Sequence, residues 1–416
     1  MQERVSYTRE VMNTGSIVAP KGFSAGTAAC GIKTVKDSLD LGIIFSEYPS
    51  TGAALFTTNQ IYAAPVKLSR KAVQRGRTRA IVINSGNANA CTGEQGDKDA
   101  EEMVRLTAEC LKISEDEILV ASTGIIGRSL PMDKVRAGIQ AATASLGSTP
   151  SHGNAMARAI MTTDTRQKDI AVRLKIQNKD VILGGITKGA GMIAPNLATM
   201  LCFITTDVSL PASLLDECLR KSVESSFNRI TIDGHTSTND TVAIIANGAS
   251  GVHISSSKEN TGGSPLQIFQ QGLDYVTSYL AKAIVKDGEG ATKFIQIDVI
   301  GARSRGDAAR IARSIADSPL VKTAINGEDP NWGRIVSAAG YAGVELNESK
   351  TNLYINDILI FAKGMPAQCN LTTLSISMKS TDIQIRLELG LGNYSDTVWT
   401  CDLSHEYVTI NAEYHT

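Results

Sequence analysis

Helical and strand periodicities alternate along most of this 416-residue sequence, and that alternation is the strongest constraint on its fold. Apolar residues recur at helical spacing in four stretches, residues 100–111, 214–223, 266–283 and 308–315. Short β-branched or apolar runs accompany them at 80–84, 117–122, 201–206, 241–246 and 294–300. Elements that alternate in this way are typical of sheets covered by helices. The sequence therefore predicts an α/β fold of layered sheets flanked by helices, rather than a bundle or a sandwich of sheets alone.

The C-terminal part is predicted to be rich in strands. Strand-like runs occur there at 353–361, 381–389 and 407–414. The polar, glycine-containing stretch at 250–265 is predicted to be an exposed loop or linker.

Charge and cysteine usage exclude several classes of function. The chain has 41 Lys and Arg against 42 Asp and Glu, without a long run of either sign, so no nucleic-acid partner is expected. None of its seven cysteines form a CxxC pair, and the His405–Glu406 pair is followed by Thr409 where a zinc protease has histidine, so no metal site is expected. With no run of 18 apolar residues and no leader pattern at the start, we expect a cytoplasmic protein without a membrane span.

The segment 183–199, LGGITKGAGMIAPNLAT, is too long and too apolar for an ordinary hairpin turn. Its four glycines indicate, on their own, no more than turns that need positive φ. A phosphate-binding loop is disfavoured because the GxxxxGK[ST] pattern is absent. The third interpretation is self-cleavage, in which the Thr199 hydroxyl attacks the Ala198 carbonyl and water hydrolyses the resulting ester. The freed α-amine of Thr199, with a pKa of about 7.7–8.0, then activates the neighbouring hydroxyl as a nucleophile.

The sequence around that bond closely resembles the processing site of the ornithine acetyltransferase (glutamate N-acetyltransferase) family. The resemblance covers nearly the whole chain. It is carried by the segments 84–93 (NSGNANACTG), 122–127 (STGIIG), 160–166 (IMTTDTR), 188–201 (KGAGMIAPNLATML), 226–234 (SFNRITIDG), 237–241 (STNDT), 287–294 (DGEGATKF), 327–335 (GEDPNWGRI) and the C-terminal stretch from TCDL to INAEYHT. The resemblance implies the self-processing fold of DmpA-type proteins and ornithine acetyltransferases, with an N-terminal threonine nucleophile.

Catalytic roles are implied residue by residue. Thr199 corresponds to the nucleophile, and Ala198–Thr199 to the scissile bond. Thr123 and Gly124 correspond to the pair that stabilises the oxyanion. A hydroxyl and a backbone N–H at the end of a strand suit that task, since one such donor is typically worth about 3–4 kcal/mol of barrier. Without the resemblance, Thr123 would be interpreted as a turn residue.

The resemblance also implies a set of substrate contacts: Thr162, Lys188, Thr199, Glu289, Asn411 and the terminal Thr416. Lys188 is suited to a substrate carboxylate and Glu289 to an ammonium group, although in isolation both would be interpreted as solvated loop charges. Thr163 is an open alternative to Thr162. One position departs from the family pattern, because His235 stands where a second aspartate is expected. If it lines the site, its charge changes near neutral pH; the other interpretation is a tolerated surface change.

The implied activity is transfer of an acetyl group from N-acetylornithine to glutamate through an acetyl-Thr199 intermediate, in arginine biosynthesis. No cofactor is expected, and the use of acetyl-CoA as a co-substrate, which would make the enzyme bifunctional, is left open. The family pattern implies an α chain, 1–198, with the oxyanion-stabilising pair and part of the substrate site. It also implies a β chain, 199–416, with the nucleophile, the acceptor-site residues and the strand-rich part. The two are expected to stay together as a heterotetramer of two α and two β chains.

Two alternatives belong to other classes. The first is a self-processing aminopeptidase or amidohydrolase of similar fold, in which water replaces glutamate as the acceptor. The implied amino-acid acceptor site disfavours it. The second is a non-catalytic binding protein, disfavoured by the presence of Thr199, Thr123 and Gly124.

Overall fold

The structure is a computed structural model that describes residues 9–194, 200–255 and 263–413. The chain divides into two compact units. Unit 1 contains the described residues up to Asn228 together with Thr236–Ile284. Unit 2 contains Arg229–His235 and the described residues from Val285 onward.

A six-stranded sheet forms the centre of unit 1. Its strands, in spatial order, are β1 (Arg9–Val11), β7 (Lys168–Ile176), β8 (Lys179–Lys188), β9 (Leu201–Thr206), β10 (Thr241–Ala246) and β4 (Thr51–Phe56). Strands β9 and β10 run parallel, whereas the other neighbours are antiparallel. Strands β9 and β10 are buried at every position, which explains why their sequences are continuous apolar runs.

A second sheet of four strands also belongs to unit 1. It contains β2 (Phe23–Ala28), β3 (Leu41–Ser46), β5 (Ala80–Asn87) and β6 (Ile118–Ile125), in that order. Strands β5 and β6 are parallel, so both strands end at the same edge of the sheet.

Six helices complete the described part of unit 1, the last of them reaching into the first residues of unit 2. They are α1 (Ala64–Val73), α2 (Gly93–Leu111), α3 (Met132–Ala144), α4 (Pro150–Ala159), α5 (Ala212–Glu224) and α6 (Pro265–Lys286). The predicted helical stripes are confirmed here: for example, Met103 in α2, Leu219 in α5 and Phe269 in α6 are fully buried.

The two sheets pack face to face. Phe203 of the first sheet and Ile83 of the second belong to one buried cluster between them. A second cluster, with Val82 and Met103 among its members, lies between the four-stranded sheet and helices α2 and α3. Helix α6 covers the other face of the first sheet, where Leu280 lies against Gly185. The predicted α/β fold of layered sheets flanked by helices is confirmed.

Unit 2 is built on a mixed six-stranded sheet. Its strands, in spatial order, are β14 (Met365–Pro366), β13 (Ile358–Ala362), β12 (Asn352–Ile355), β15 (Asp382–Glu388), β11 (Phe294–Ala302) and β16 (Tyr394–Cys401). Its helices are α7 (Arg305–Ala316), α8 (Pro319–Asn326), α9 (Trp332–Gly340), α10 (Leu371–Met378) and α11 (His405–Glu413). The core joins the sheet to the predicted stripe of α7, in which Ile311 and Ile315 are fully buried.

Two strand predictions in unit 2 need correction. The run at 353–361 is a hairpin, because Asn356 and Asp357 both adopt positive φ and turn the chain between β12 and β13. The run at 407–414 was predicted to be a strand, but its described part lies in helix α11. None of the helix's residues is buried, and Val408 is exposed, so its β-branched side chains have no sheet to pack into.

The proposed cleavage point does not coincide with a boundary between the two units. Residues 195–199, which include Ala198 and Thr199, lie outside the described residues, as does Thr416. The division into chains 1–198 and 199–416 therefore stays a prediction. Of the predicted loop at 250–265, residues 256–262 also lie outside the description. Among the described helices, none is long and apolar enough to cross a membrane.

Candidate active site

The end of strand β6 carries Thr123 and Gly124. Thr123 is buried, and Gly124 has φ +132°, a conformation that L side chains rarely adopt. A Cβ atom at Gly124 would lie 2.3 Å from the backbone carbon of Gly86 on β5. The two backbones therefore approach closely at this point, and only glycine is compatible with both the φ angle and the contact.

Three of the predicted motifs meet around this strand end. The Asn239 amide, in the STNDT segment, donates to the carbonyl of Ser122 at 2.8 Å and to that of Ala88 at 2.6 Å. The Ser122 hydroxyl in turn donates to Asn84 Oδ1 at 2.6 Å. Buried amides that bond two separate backbone segments hold them at a fixed separation. These contacts fix the backbone directly before Thr123.

Lys188 approaches Thr123 from the neighbouring sheet. It is the last residue of β8, it is buried, and its Nζ donates to Thr123 Oγ1 at 3.4 Å. Lys188 also stands opposite Leu201, the first residue of β9, so β8 and β9 form an antiparallel hairpin. The predicted nucleophile and scissile bond belong to the connection of that hairpin and lie outside the described residues.

Asp164 organises the residues on either side of Lys188. Its carboxylate accepts from the Lys168 ammonium at 2.6 Å, from Gly189 N–H at 2.7 Å and from Thr162 N–H at 2.9 Å. Burial by itself would raise the pKa of Asp164, but Lys168, Lys188 and the Gly189 N–H outweigh it and lower that pKa to about 2. Asp164 is therefore an ionised anchor that ties the Thr162 turn to the start of the glycine-rich loop.

Asp240, directly before β10, is a second carboxyl group that Lys188 influences. Its Oδ1 accepts from the backbone N–H of Met200 at 2.9 Å, and both residues are buried. Burial raises the pKa of Asp240 well above its usual value, although the Met200 N–H and the Lys188 ammonium act in the opposite direction. The pKa values of the two aspartates near Lys188 are thus shifted in opposite directions.

Besides Lys188, a second lysine, Lys33, lies close enough to Asp164 for their charges to interact. Lys33 donates to the Leu39 carbonyl at 2.7 Å, and its side chain passes over Gly86, where a Cβ atom would meet Lys33 Cγ at 3.0 Å. Burial, with a smaller effect from Lys188, lowers the pKa of Lys33 to about 8, although Asp40 and Asp164 act in the opposite direction. The Lys33 ammonium is therefore a group that titrates just above neutral pH.

In unit 2, the structure brings Glu289 and Asn411 together. The Asn411 amide donates to Glu289 Oε2 at 2.8 Å, and Glu289 is buried. Tyr407, on the same helix as Asn411, donates to Asp233 Oδ2 at 3.2 Å. The His235 ring is 72% exposed and bonds back to the Asp233 carbonyl at 2.9 Å. This position agrees with the interpretation of His235 as a surface change.

The predicted site residues that are described fall into two groups. Thr123, Gly124, Thr162 and Lys188 are in unit 1, around Asp164, whereas Glu289 and Asn411 are in contact in unit 2. Sequence reasoning missed Asp164, Asp240 and Lys33. The first two lie inside the quoted segments TTDTR and STNDT, so the segments were found without these members being singled out. Lys33 lies outside every quoted segment.

The arrangement in unit 1 suits chemistry at a carbonyl group. It combines a buried hydroxyl whose oxygen accepts from a lysine, a strand end closed by two glycines, and two carboxyl groups whose pKa values are shifted in opposite directions. Such a combination can stabilise a developing oxyanion and move protons without a metal ion. The fold and the site together define a layered α/β protein with a buried polar site where two strands of a hairpin meet.

Comparison with known proteins gives the family. The model described as "ArgJ family" matches residues 24–416. The arginine biosynthesis bifunctional protein ArgJ of Dehalococcoides mccartyi is 46% identical over 409 residues, covering 98% of this chain and 99% of that protein. The glutamate N-acetyltransferase of Methanocaldococcus jannaschii is 46% identical over 413 residues, covering 97% and 99%. The crystal structure of Mycobacterium tuberculosis ornithine acetyltransferase complexed with ornithine is similar at 39% identity and a TM-score of 0.43, covering 46% of this chain and all of the solved one.

The family model and the two relatives from Dehalococcoides mccartyi and Methanocaldococcus jannaschii match nearly the whole sequence. The chain belongs to the ArgJ family.

Proposed function

We propose that this chain is a glutamate N-acetyltransferase of the ornithine acetyltransferase type, acting in arginine biosynthesis. It cleaves itself between Ala198 and Thr199 and then transfers acetyl groups through Thr199. The observation that carries the proposal is the Lys188–Thr123 contact at 3.4 Å, at the strand end that closes on Gly124. Family membership supports the same activity, since relatives of nearly equal length bear the names of this enzyme.

The Lys188 contact prepares the Thr123 hydroxyl to act as a donor. Because the Lys188 ammonium donates to Oγ1, that oxygen is already engaged as an acceptor and the hydroxyl proton is directed elsewhere. Together with the Gly124 N–H it forms the proposed oxyanion-stabilising pair. Buried, pre-oriented donors of this kind act on the charge that develops in the transition state and need no reorganisation.

The proposed cycle has two half-reactions. Thr199 Oγ attacks the acetyl carbonyl of N-acetylornithine, the bond between that carbonyl and the ornithine nitrogen breaks, and the proton from the hydroxyl leaves with ornithine. The amine of glutamate then attacks the acetyl-Thr199 ester, which returns the hydroxyl to Thr199. The cycle uses no cofactor, and acetyl-CoA is proposed as an additional acetyl donor.

Substrate contacts are proposed for Thr162, Lys188, Glu289, Asn411 and Thr416. Glu289 is suited to an ammonium group of the substrate because it is a buried carboxylic side chain whose described partner is the neutral Asn411. Lys188 is suited to a carboxylate. The α and β chains are proposed to assemble as a heterotetramer.

Intact mass spectrometry of the purified protein and of Thr199→Ala tests self-cleavage. The wild-type chain should give fragments of about 21 and 23 kDa, from 44.2 kDa divided in the ratio 198 to 218, and the second should begin at Thr199. The Thr199→Ala variant should remain whole. A folded wild-type chain that stays uncleaved contradicts the proposal and favours the binding-protein alternative.

An acetyl-transfer assay then separates the transferase from the hydrolase. Acetyl groups from N-acetylornithine should appear on glutamate, and their release should be slow when glutamate is omitted. Release at the same rate with and without glutamate would identify an amidohydrolase instead.

A further inference from the structure

Asp240 occupies a position that the proposed mechanism has not used. It directly precedes β10, and its backbone is fixed because the Asp240 carbonyl accepts from Thr57 N–H at 3.0 Å. Its side chain reaches back to the first described residue after the hairpin connection, where Oδ1 accepts from Met200 N–H at 2.9 Å. The Met200 carbonyl in turn accepts from Thr241 N–H at 3.1 Å. Both polar groups of the Met200 backbone are therefore held by two consecutive residues, Asp240 and Thr241.

The second oxygen of Asp240 is buried, and it has no hydrogen-bond partner within the described part of the chain. Burying an ionised carboxylate without full hydrogen bonding is costly, so burial favours the neutral form of this group. The pKa of Asp240 is accordingly raised, because burial outweighs the Met200 N–H and the Lys188 ammonium. Asp240 accepts from the Met200 N–H through Oδ1.

A backbone N–H belongs to the planar peptide group that joins a residue to the one before it. The hydrogen bond to Asp240 therefore restrains the N–H of Met200, the residue that follows position 199 in the chain. Chemistry at position 199 requires reacting atoms that are aligned and about 3–3.5 Å apart, and a misplacement of about 1 Å can cost on the order of 100-fold in rate.

We propose that Asp240 is a positioning residue for the nucleophile: by holding the Met200 N–H it fixes the backbone directly after residue 199 for self-cleavage and for acetyl transfer. This inference rests on the proposed function, since it assumes that residue 199 is the nucleophile. The role belongs to the acceptor oxygen, so asparagine at this position should perform it, whereas alanine should not.

The test is a time course of self-cleavage by intact mass spectrometry, on protein made by cell-free synthesis so that early times are accessible. Asp240→Ala should slow cleavage by about 100-fold. Asp240→Asn keeps an acceptor oxygen in a side chain of the same shape and should cleave within about 10-fold of the wild-type rate. In the cleaved fraction of each variant, the turnover number for acetyl transfer should fall in the same order, with KM nearly unchanged.

Asp207 provides a matched control at the opposite end of β9. It is also fully buried and accepts from two backbone N–H groups, those of Ile182 at 2.9 Å and Lys21 at 3.2 Å. Asp207→Ala removes a comparable structural acceptor far along the strand from Met200. Among folded molecules, it should cleave at the wild-type rate.

Each outcome decides the matter. Wild-type cleavage with equally fast cleavage of Asp240→Ala overturns the positioning role and leaves the proposed function intact. If Asp240→Ala fails to fold, Asp240→Asn decides, because a folded Asp240→Asn variant that does not cleave shows that the carboxyl group itself is required and overturns the inference. A wild-type chain that never cleaves overturns the proposed function and this inference with it.

Discussion

Asp164 is a buried carboxylate that accepts from one ammonium group and two backbone N–H groups. Its partner Lys168 is equally buried: the side chain of Asp164 is 0% exposed and that of Lys168 is 1% exposed. When one partner of a buried ion pair is removed, the other is left as an uncompensated charge, at a cost of about 3–5 kcal/mol. The contribution of Asp164 to the stability of the fold can therefore be measured separately from any effect on catalysis.

Asp164→Ala should lower the free energy of unfolding by about 3–5 kcal/mol, measured by urea denaturation. The matched control is Asp180→Ala, which breaks the exposed Lys175–Asp180 pair at 2.7 Å on the adjoining strands and should leave stability near the wild-type value. Equal stability of the two variants would contradict the anchoring role of Asp164.

The lowered pKa of Asp164 makes its contribution to stability depend on pH. Its pKa is lowered in the folded chain to about 2, from an ordinary value of 3.8, so its contribution to stability is fully present above about pH 4. That contribution is lost as the pH falls from about 4 to about 2. The part of the acid-induced loss due to this group should be missing in Asp164→Ala.

At the scale of single residues, the sequence predicted which segments carry the site, but it did not predict the contacts or the pKa shifts of their side chains. The segments containing Thr123, Lys188 and Asp164 were all identified, but the Lys188–Thr123 contact joins residues 65 positions apart. Spacing cannot reveal such a contact. Nor can it reveal that the pKa of Asp240 is raised and that of Asp164 lowered, because burial and the number of nearby donors decide the pKa of each.

Strand β8 contains two adjacent glycines whose surroundings differ. A Cβ atom at Gly184 would lie 2.2 Å from the backbone oxygen of Ser16, which belongs to a buried segment. A Cβ atom at Gly185 would meet the ends of two side chains of α6 instead, Leu280 at 2.9 Å and Val276 at 3.2 Å. Side-chain ends can rotate away, whereas a backbone carbonyl cannot move without its segment.

Gly184→Ala should therefore destabilise the protein by about 1–3 kcal/mol, through overpacking. Gly185→Ala should be closer to neutral, since the gain from replacing glycine in a strand, roughly 0.5–1 kcal/mol, offsets part of the crowding. Thermal unfolding of the two variants side by side measures the difference. A larger loss for Gly185→Ala would mean that the side chains of α6 yield less easily than the segment that contains Ser16.

At the scale of elements, prediction succeeded where burial is complete. Strands β9 and β10 were predicted with their observed bounds, because strands buried on both faces read as continuous apolar runs. Helix α11 was predicted wrongly, because its Val408, Thr409 and Ile410 favour strands only when a neighbouring strand is present to pack against. The preference of a residue for strands is thus decided by surroundings that the local sequence does not contain.

Across the whole chain, the first sheet of unit 1 mixes segments from the two sides of the proposed cleavage point. Strands β1, β7, β8 and β4 precede residue 199, and β9 and β10 follow it. In space, β9 and β10 lie between β8 and β4, with a complete ladder at each junction. This strand order cannot be predicted from periodicity, because β4, at residues 51–56, pairs with β10, which lies far along the chain at residues 241–246.

Cleaved molecules should consequently stay associated. Size-exclusion chromatography of the cleaved protein should give one species containing both fragments, and urea should separate them only in the range that unfolds the sheet. Fragments that separate in native buffer would contradict the observed strand order. This expectation does not depend on how many copies of the two fragments the assembly contains.

Synthesis from the N-terminus adds a constraint in time. When residue 198 leaves the ribosome, β4 and β8 exist, but the two strands that belong between them have not been made. Nor has Asp240, which secures the backbone of Met200. Under the proposed mechanism, the bond at 198–199 is cut at its full rate only after this later sequence has folded between β4 and β8. Fast cleavage then marks a molecule that has completed its central sheet, so the ratio of cut to whole chain shortly after synthesis should follow the folding yield.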